Sequence, residues 1–474
     1  MSLTRTIAHN TAIQIVGRIF STALGLVVIG MLTRYLGEAG YGRYTTIMVY
    51  LQLFGVLVDL GLYIMLVKKI SEPGADEQRV ASNIFTMRLV SAVIVLGAAP
   101  LLSFLFRYPA EVRLGIAIAT ISFFGVTITQ ALTGIFQKYL HMEKIVIADL
   151  CGRVALIAAT WWVIASHLGL PWIMTAVVIG SIVNTVVVFM FSRAFIAIRL
   201  AWDFAFWASI IRETWPIALS IVFNLVYFKA DTLILSLVRS EAEVGVYGSS
   251  YKVLEVITTF PAMFAGLVLP LLASAWSMRD PERFRRVLQK AFDFLLMLAI
   301  PLVGGTLIIA NPVMHVVTGK GFADAGSILQ ILIIATSTIF IGNLFGNAVV
   351  AVNRQRTMMW LYLAVAVVSL AGYLILIPRF SYFGAAWMTV LSELLVTSSA
   401  ALIVLKATRV KVSLVFAGKA LTAGLVMTGT LFLLRTVAFP LLIVIGACEY
   451  GMVLYLMKGI SKDMILEIVQ LRKT

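Results

Sequence analysis

The chain has 474 residues, of which 61% are hydrophobic and only 12% charged, with a mean hydropathy of +1.01. A soluble domain carries about 25% charged residues, and a chain this apolar lacks the polar groups to cover a water-facing surface, so a water-soluble globular protein is excluded and lipid is the main solvent. The net charge of +15 matches the Lys and Arg that gather in the cytosolic loops of membrane proteins; no compact basic domain with interleaved aromatics points to nucleic acid.

A spanning helix needs about 20 mostly apolar residues. In chain order the segments that meet this are 8–33, 44–66, 84–106, 114–136, 150–166, 171–192, 214–237, 252–274, 291–315, 328–352, 358–377, 383–405, 417–436 and 438–457, fourteen in all. The first run carries Arg18 in its middle and is too long for the apolar core of a cleavable signal peptide. The longest loops, roughly 67–83 and 193–213, are too short for a soluble domain. With the N-terminus inside, the inner loops and termini collect 25 Lys and Arg and the outer loops 9, while Arg18, Arg88 and Lys229 fall within spans. This asymmetry predicts cytosolic N- and C-termini in a cell membrane and an even number of helices.

A short repeat joins corresponding spans. Glu38-Ala39-Gly40-Tyr41-Gly42-Arg43-Tyr44, between the first and second, aligns at an offset of 203 with Glu241-Ala242-Glu243-Val244-Gly245-Val246-Tyr247, between the seventh and eighth. Met174-Thr175 and Met388-Thr389 match more weakly at an offset of 214. Six spans separate the copies, so both have the same orientation, as in two parallel six-helix lobes. The expected organisation is an N-terminal lobe at 1–200, a C-terminal lobe at 201–405, and two added helices with a cytosolic tail at 406–474.

Ionisable groups at membrane depth are costly and point to function. Asn10, Gln14, Arg18, Ser21 and Gly25 recur at spacings of four, four, three and four, which puts one polar stripe on one helical face. A wet cavity satisfies such a stripe; the alternative is that Arg18 snorkels or pairs with a carboxylate such as Asp59. Arg88 lies only a few residues into its span. Lys229 and Asp231 are about 200° apart on their helix, whereas Asn224 and Asp231 share a face. Thr336, Asn343 and Asn347 line one face of the tenth span, and Thr389, Glu393 and Thr397 one of the twelfth; hydrogen-bonding glue between helices is the commoner use of such residues. Three cations in the spans, Arg18, Arg88 and Lys229, are the expected substrate-binding groups if they meet in one low-dielectric cleft, which attracts an anion. Arg offers a fork that fits a lipid phosphate or pyrophosphate. Gln14, Asp59, Asn224, Asp231, Asn343, Asn347 and Glu393 are cavity-lining or coupling candidates.

Cys151 and Cys448 form no disulfide framework, and the four histidines form no metal pattern. No Walker motif is present. No metal, cofactor or catalytic cluster is expected.

The chain resembles the polysaccharide-transporter (oligosaccharide flippase, Wzx-like) branch of the multidrug/oligosaccharidyl-lipid/polysaccharide exporter superfamily. The residues that carry this are Arg34-Tyr35-Leu36-Gly37-Glu38-Ala39-Gly40-Tyr41-Gly42-Arg43-Tyr44 with Asp59-Leu60-Gly61-Leu62, then Ala230-Asp231-Thr232-Leu233-Ile234-Leu235, Val244-Gly245-Val246-Tyr247, Tyr251-Lys252-Val253-Leu254-Glu255 and Leu269-Pro270. The resemblance implies a two-lobed, all-α membrane fold working by alternating access. It also implies a polyprenyl-pyrophosphate-linked oligosaccharide as cargo, moved from the cytosolic to the outer leaflet, with membrane lipids and a glycan polymerase or ligase machinery as partners. A cation-coupled multidrug exporter of the same superfamily is the alternative, with Asp59, Asp231 and Glu393 as its carboxylates. A membrane-embedded glycan ligase or polymerase would need paired carboxylates in an outer loop. Those loops offer Glu38, Glu111, Glu241, Glu243 and Asp324, of which only Glu241 and Glu243 are neighbours in sequence.

Overall fold

The computed structural model describes residues 3–72, 74–196 and 198–459. The expected cytosolic tail from 460 onward lies outside the described residues, as does the side chain of Asn10. Lipid offers no partner for a free backbone amide, so a spanning segment must be helical or part of a closed barrel. The described chain is helical: α1 (Leu3–Asp59), α2 (Leu62–Ile70), α3 (Glu77–Leu102), α4 (Ala110–Lys138), α5 (Met142–Ala165), α6 (Leu170–Ser192), α7 (Phe204–Val238), α8 (Glu241–Ser277), α9 (Pro281–Thr318), α10 (Ala325–Ala351), α11 (Gln355–Thr408), α12 (Val415–Leu433) and α13 (Phe439–Leu456).

Among the described residues, twelve helical segments are long and apolar enough to cross a membrane. Two of them hold two passes each. α1 has 57 residues and α11 has 54, about 80 Å or more if straight, against a hydrocarbon core of about 30 Å. α1 breaks at Gly37, with φ 66° and ψ −175°, a conformation essentially restricted to glycine. α11 breaks at Ser381, with φ 52° and ψ −137°, three residues after Pro378. Counting both limbs of each gives the fourteen passes the hydropathy pattern predicts. The expected long loops are shorter in the structure: helix extends to Ile70 and resumes at Glu77, and α7 begins at Phe204.

The chain divides into two compact units. The first contains the residues up to 249 with 317–321 and 366–385. In it α4, α5 and α6 pack on one another, and α1 lies against α3, α4 and α5. One end is filled by Leu62, Met65 and Leu66 of α2, Ile84 of α3, Leu132 and Phe136 of α4, and Ile210 of α7. The stretch between α6 and α7 is stapled to α3: Ser82 Oγ accepts from the Arg199 amide at 3.1 Å, Thr86 Oγ1 from Ala201 at 3.0 Å, and Asn83 Oδ1 from Asp203 at 2.9 Å. Each is a backbone donor that would otherwise need water.

The second unit contains 250–316, 322–365 and the residues from 386 on. There α12 and α13 bury Ala420, Ala423, Met427 and Leu431 against Leu442, Tyr450 and Leu454, with Met297 and Ile300 of α9 alongside. The Thr397 hydroxyl donates to the Thr338 carbonyl at 3.2 Å and ties α11 to α10. Gln289 holds the segment before α12 through both its amide atoms, to Ser413 N at 2.7 Å and Ser413 O at 2.9 Å. Leu421, Leu425, Leu433, Leu441, Met452 and Leu456 are exposed, as a lipid-facing surface requires.

Candidate functional site

The polar stripe of α1 meets a second polar stripe on α5. The two helices pack closely enough for Gly17 to sit on Val146 and Gly25 on the Arg153 guanidinium, whose Nη1 lies 3.5 Å from where a Cβ would be. Between these contacts the buried Ser21 hydroxyl donates to Asp149 Oδ2. Arg153 Nε lies 3.8 Å from Asp149 Oδ1, one turn away on α5. Gln14 is half-buried and Arg18 exposed. Asp149 and Arg153 are the eighth and twelfth residues of α5, about 11 and 17 Å from its start at 1.5 Å per residue. Both side chains are still more than a third exposed. Charges at membrane depth are costly unless they pair, snorkel or meet water. The α1–α5 seam brings Ser21 and Asp149 together, with Arg153 one turn along α5 and Arg18 exposed on α1.

Sequence reasoning missed Asp149 and Arg153. Glu143, Lys144 and Asp149 interrupt the apolar run, so the fifth span is expected to begin at 150 and Arg153 counts with an inner loop. The structure corrects this: α5 starts at Met142, and Arg153 stands midway along it. The spacing of Asp149 and Arg153, four residues inside a helical run, was the available signal.

Arg88 occupies a different environment. It is 1% exposed, its Nη1 is 2.7 Å from Asp59 Oδ1, and Nη2 donates to Gln130 Oε1 of α4. Asp59 also accepts the Tyr63 amide at 3.2 Å, across the break at Leu60 and Gly61 where φ is 39° and 85°. Asp59 thus pairs with Arg88, not with Arg18, and both serve the join between α1, α2, α3 and α4. Arg88 has no surface in this state to offer a substrate.

On α7, Lys229 is 5% exposed and Asp231 fully buried. The Lys229 ammonium lies 5.4 Å from the Phe228 ring centroid, within cation–π range. Asp231 accepts from the Tyr247 hydroxyl of α8 at 2.6 Å and from the Thr232 amide and hydroxyl at 2.5 and 3.1 Å. The Ala-Asp and Gly-Val-Tyr motifs therefore meet as one hydrogen-bonded joint between α7 and α8. Asn224 is half-buried and donates to Tyr227 Oη at 3.0 Å.

In the second unit Asn343 and Asn347 donate to the carbonyls of Ile339 and Asn343, each at 2.9 Å, so their amides are engaged along their own helix. Glu393 is 4% exposed, flanked on its helix by the buried Thr389 and Thr397. Among the described residues no group of three or more His, Cys, Asp and Glu could hold a metal ion.

The carboxylates expected in outer loops are arranged differently from the sequence expectation. Glu111 joins Glu241, and Arg43 bridges them, its Nη1 2.5 Å from Glu111 Oε2 and its Nε 2.6 Å from Glu241 Oε2. One guanidinium between two carboxylates offsets a single negative charge while engaging an oxygen of each.

Comparison with known proteins fits this architecture. The family model for "Polysaccharide biosynthesis protein" matches residues 7–276, more than half of the chain, and the MatE model matches 216–375. A curated relative, the probable low-salt glycan biosynthesis flippase Agl15 of Haloferax volcanii, is 24% identical over 210 residues; the match spans 44% of this chain and 44% of that protein. Among solved structures, the lipid II flippase MurJ in an inward closed conformation is similar with a TM-score of 0.78 at 14% identity, covering 93% of this chain and 98% of that one. An inward-facing multidrug resistance MATE family transporter of the MOP superfamily follows at 0.69 and 14% identity, covering 84% and 99%. At such identities these structures establish a shared fold, while the family match over residues 7–276 assigns membership: the chain belongs to the polysaccharide biosynthesis protein family.

Proposed function

We propose that this chain is a flippase that carries an anionic polyprenyl-pyrophosphate-linked oligosaccharide from the inner to the outer leaflet by alternating access, with both termini cytosolic and the lobes 1–200 and 201–405 moving around a central cavity. The observation that carries the reading is the open pair of cations at membrane depth, Arg18 and Arg153. Guanidinium forks bind phosphate oxygens in pairs, and a low-dielectric cleft strengthens that attraction. Asp149 orients Arg153 at 3.8 Å without a close ion pair, which leaves the fork available. The relatives support the cargo class by what their names state: one is a glycan biosynthesis flippase and one a lipid II flippase.

A cation-coupled exporter is the second reading, favoured by the MatE match at 216–375. It needs carboxylates free to take a cation or proton. Asp59 is committed to Arg88 and Asp231 to Tyr247, which leaves Glu393 as its main support.

The test is a reconstitution into liposomes carrying a fluorescent polyprenyl-pyrophosphate oligosaccharide, with an external quencher reporting leaflet exchange. Wild type accelerates exchange, while Arg18→Ala and Arg153→Ala each lower the rate at least tenfold with unchanged thermal stability. Normal exchange in both variants sinks the cationic-site mechanism; efflux of a lipophilic cation instead of lipid exchange moves the function to the second reading.

A further inference from the structure

The repeated loop does more than mark an internal duplication: its two copies touch. A Cβ on Gly42 would overlap the carbonyl oxygen of Glu241 and sit 3.0 Å from the Gly245 amide nitrogen. A Cβ on Gly245 would overlap the carbonyl oxygen of Glu38 and sit 3.0 Å from the Gly42 amide nitrogen. At the offset of 203, Gly42 corresponds to Gly245 and Glu38 to Glu241. The contact is therefore reciprocal, each glycine resting on the other copy's glutamate carbonyl. It continues one turn on, where a Cβ on Gly248 would meet Thr45 Cγ2 at 2.5 Å, and Thr45 is the residue that corresponds to Gly248. A residue that meets its own counterpart marks a local two-fold axis. Tyr41, Thr45, Val244 and Tyr247 are buried around it.

Two features separate this clasp from ordinary helix packing. First, it is backbone against backbone. At its centre neither glycine leaves room for a side chain, so the two backbones meet there without the interdigitation of a jigsaw-packed core. Second, its rim is polar and partly exposed: Arg43 reaches across the clasp to Glu241 at 2.6 Å and sideways to Glu111 at 2.5 Å. Partly exposed ion pairs are weak and reversible. The chain leading into the clasp is bent by Gly37 at φ 66°, and the start of α8 is fixed by Glu243, which accepts from Ser240 N and Oγ at 2.9 Å and from Ser381 Oγ at 2.5 Å.

We propose that this clasp is the outer gate of the transporter, closed in the present structure, with Gly42 and Gly245 as its hinge-side contact and Arg43 as its latch. The proposal rests on the alternating-access reading and on the outer placement of residues 37–43. Opening to the outside separates the two copies of the loop, frees Arg43 from Glu241 and wets Thr45. Any side chain at Gly42 or Gly245 prevents closure and holds the outer side open.

The experiment uses the full chain with its two cysteines, Cys151 and Cys448, both exposed, changed to Ser. Thr45→Cys reports the gate through its reaction with a membrane-impermeant maleimide applied from outside. It reacts slowly in the otherwise native background, and at least tenfold faster when Gly42→Leu or Gly245→Leu is added. Unchanged labelling in both leucine variants means the contact stays closed or was never a gate, and overturns the proposal. Because a leucine variant can fail to fold, a second arm keeps the glycines: Arg43→Cys with Glu241→Cys, bridged by a short reducible bis-methanethiosulfonate. Bridging lowers lipid exchange at least tenfold and reduction restores it. Full exchange by the bridged protein overturns the gate. Labelling needs no transported substrate, so gated labelling in a protein that flips no oligosaccharide lipid supports the gate while rejecting the proposed cargo.

Discussion

A guanidinium closed off among apolar helices needs a counter-charge, and Arg88 has Asp59 at 2.7 Å. Removing one member of a buried pair strands the other, at a typical cost of about 3–5 kcal/mol. Arg88→Met is accordingly expected to lower thermal stability, read as loss of the monodisperse peak after heating in detergent, and Arg88→Met with Asp59→Leu to recover much of it. A single variant as stable as wild type would remove Arg88 from this structural role. Arg153→Ala is expected to give the opposite signature, a transport defect without a stability defect, because the Asp149 carboxylate is 3.8 Å away and Arg153 remains partly exposed. The sequence shows both arginines as charges in or near apolar runs and has no means of telling them apart. What decides is whether a carboxylate sits on the neighbouring helix at the same depth, and Asp59 is 29 residues from Arg88 in sequence. Lys229 shows the same limit: a cation centred in a span suggests a cavity, yet packing buries it beside Phe228.

The elements were more legible, because period and length are local properties of a sequence. The apolar runs predict the fourteen passes, and the misreading at α5 came from three charges that the helix accommodates at its start and on its α1-facing side. How α7 enters the first unit was not legible, since it depends on side chains distant in sequence. Lys69 and Lys68 contact Glu213 at 3.0 and 3.3 Å, and Arg79 contacts Asp203 at 2.6 Å. These contacts hold both carboxyls below their ordinary range, Glu213 chiefly through the hydrogen bond from Lys69, and Asp203 through Arg79 and then the Phe206 amide. A carboxyl with a depressed folded-state pKa stabilises the fold above its unfolded value of about 4 and loses that contribution as pH falls through the folded value. The melting temperature is expected to be flat with respect to these groups from pH 8 to 5 and to fall below about pH 4. Glu213→Gln should lessen that fall, and 1 M salt should weaken the same contacts at neutral pH, since the partners are partly exposed. An acid limb identical in wild type and Glu213→Gln would show that this attachment does not govern acid stability.

At the scale of the molecule, the repeat at offset 203 and the charge asymmetry are two independent statements about one topology. The repeat requires both copies of the loop on the same side of the membrane, because they touch through Gly42 and Gly245. The charge count predicts that this side is outside, and moving Arg153 from an inner loop into α5 reduces the inner total by one without altering the direction. Orientation then follows at every loop. Five helices, α4 to α8, lie between Arg107 and Arg279, so these two exposed residues must fall on opposite faces. In the background lacking native cysteines, Arg107→Cys is expected to react with an impermeant maleimide in intact cells, and Arg279→Cys only after the membrane is opened. The reverse pattern would invert the chain, turn the clasp into an inner gate and place the loading side where release is now proposed. Reaction of both positions in intact cells would mean that one of the five helices does not cross, and the parallel relation of the two repeat copies would fall with it.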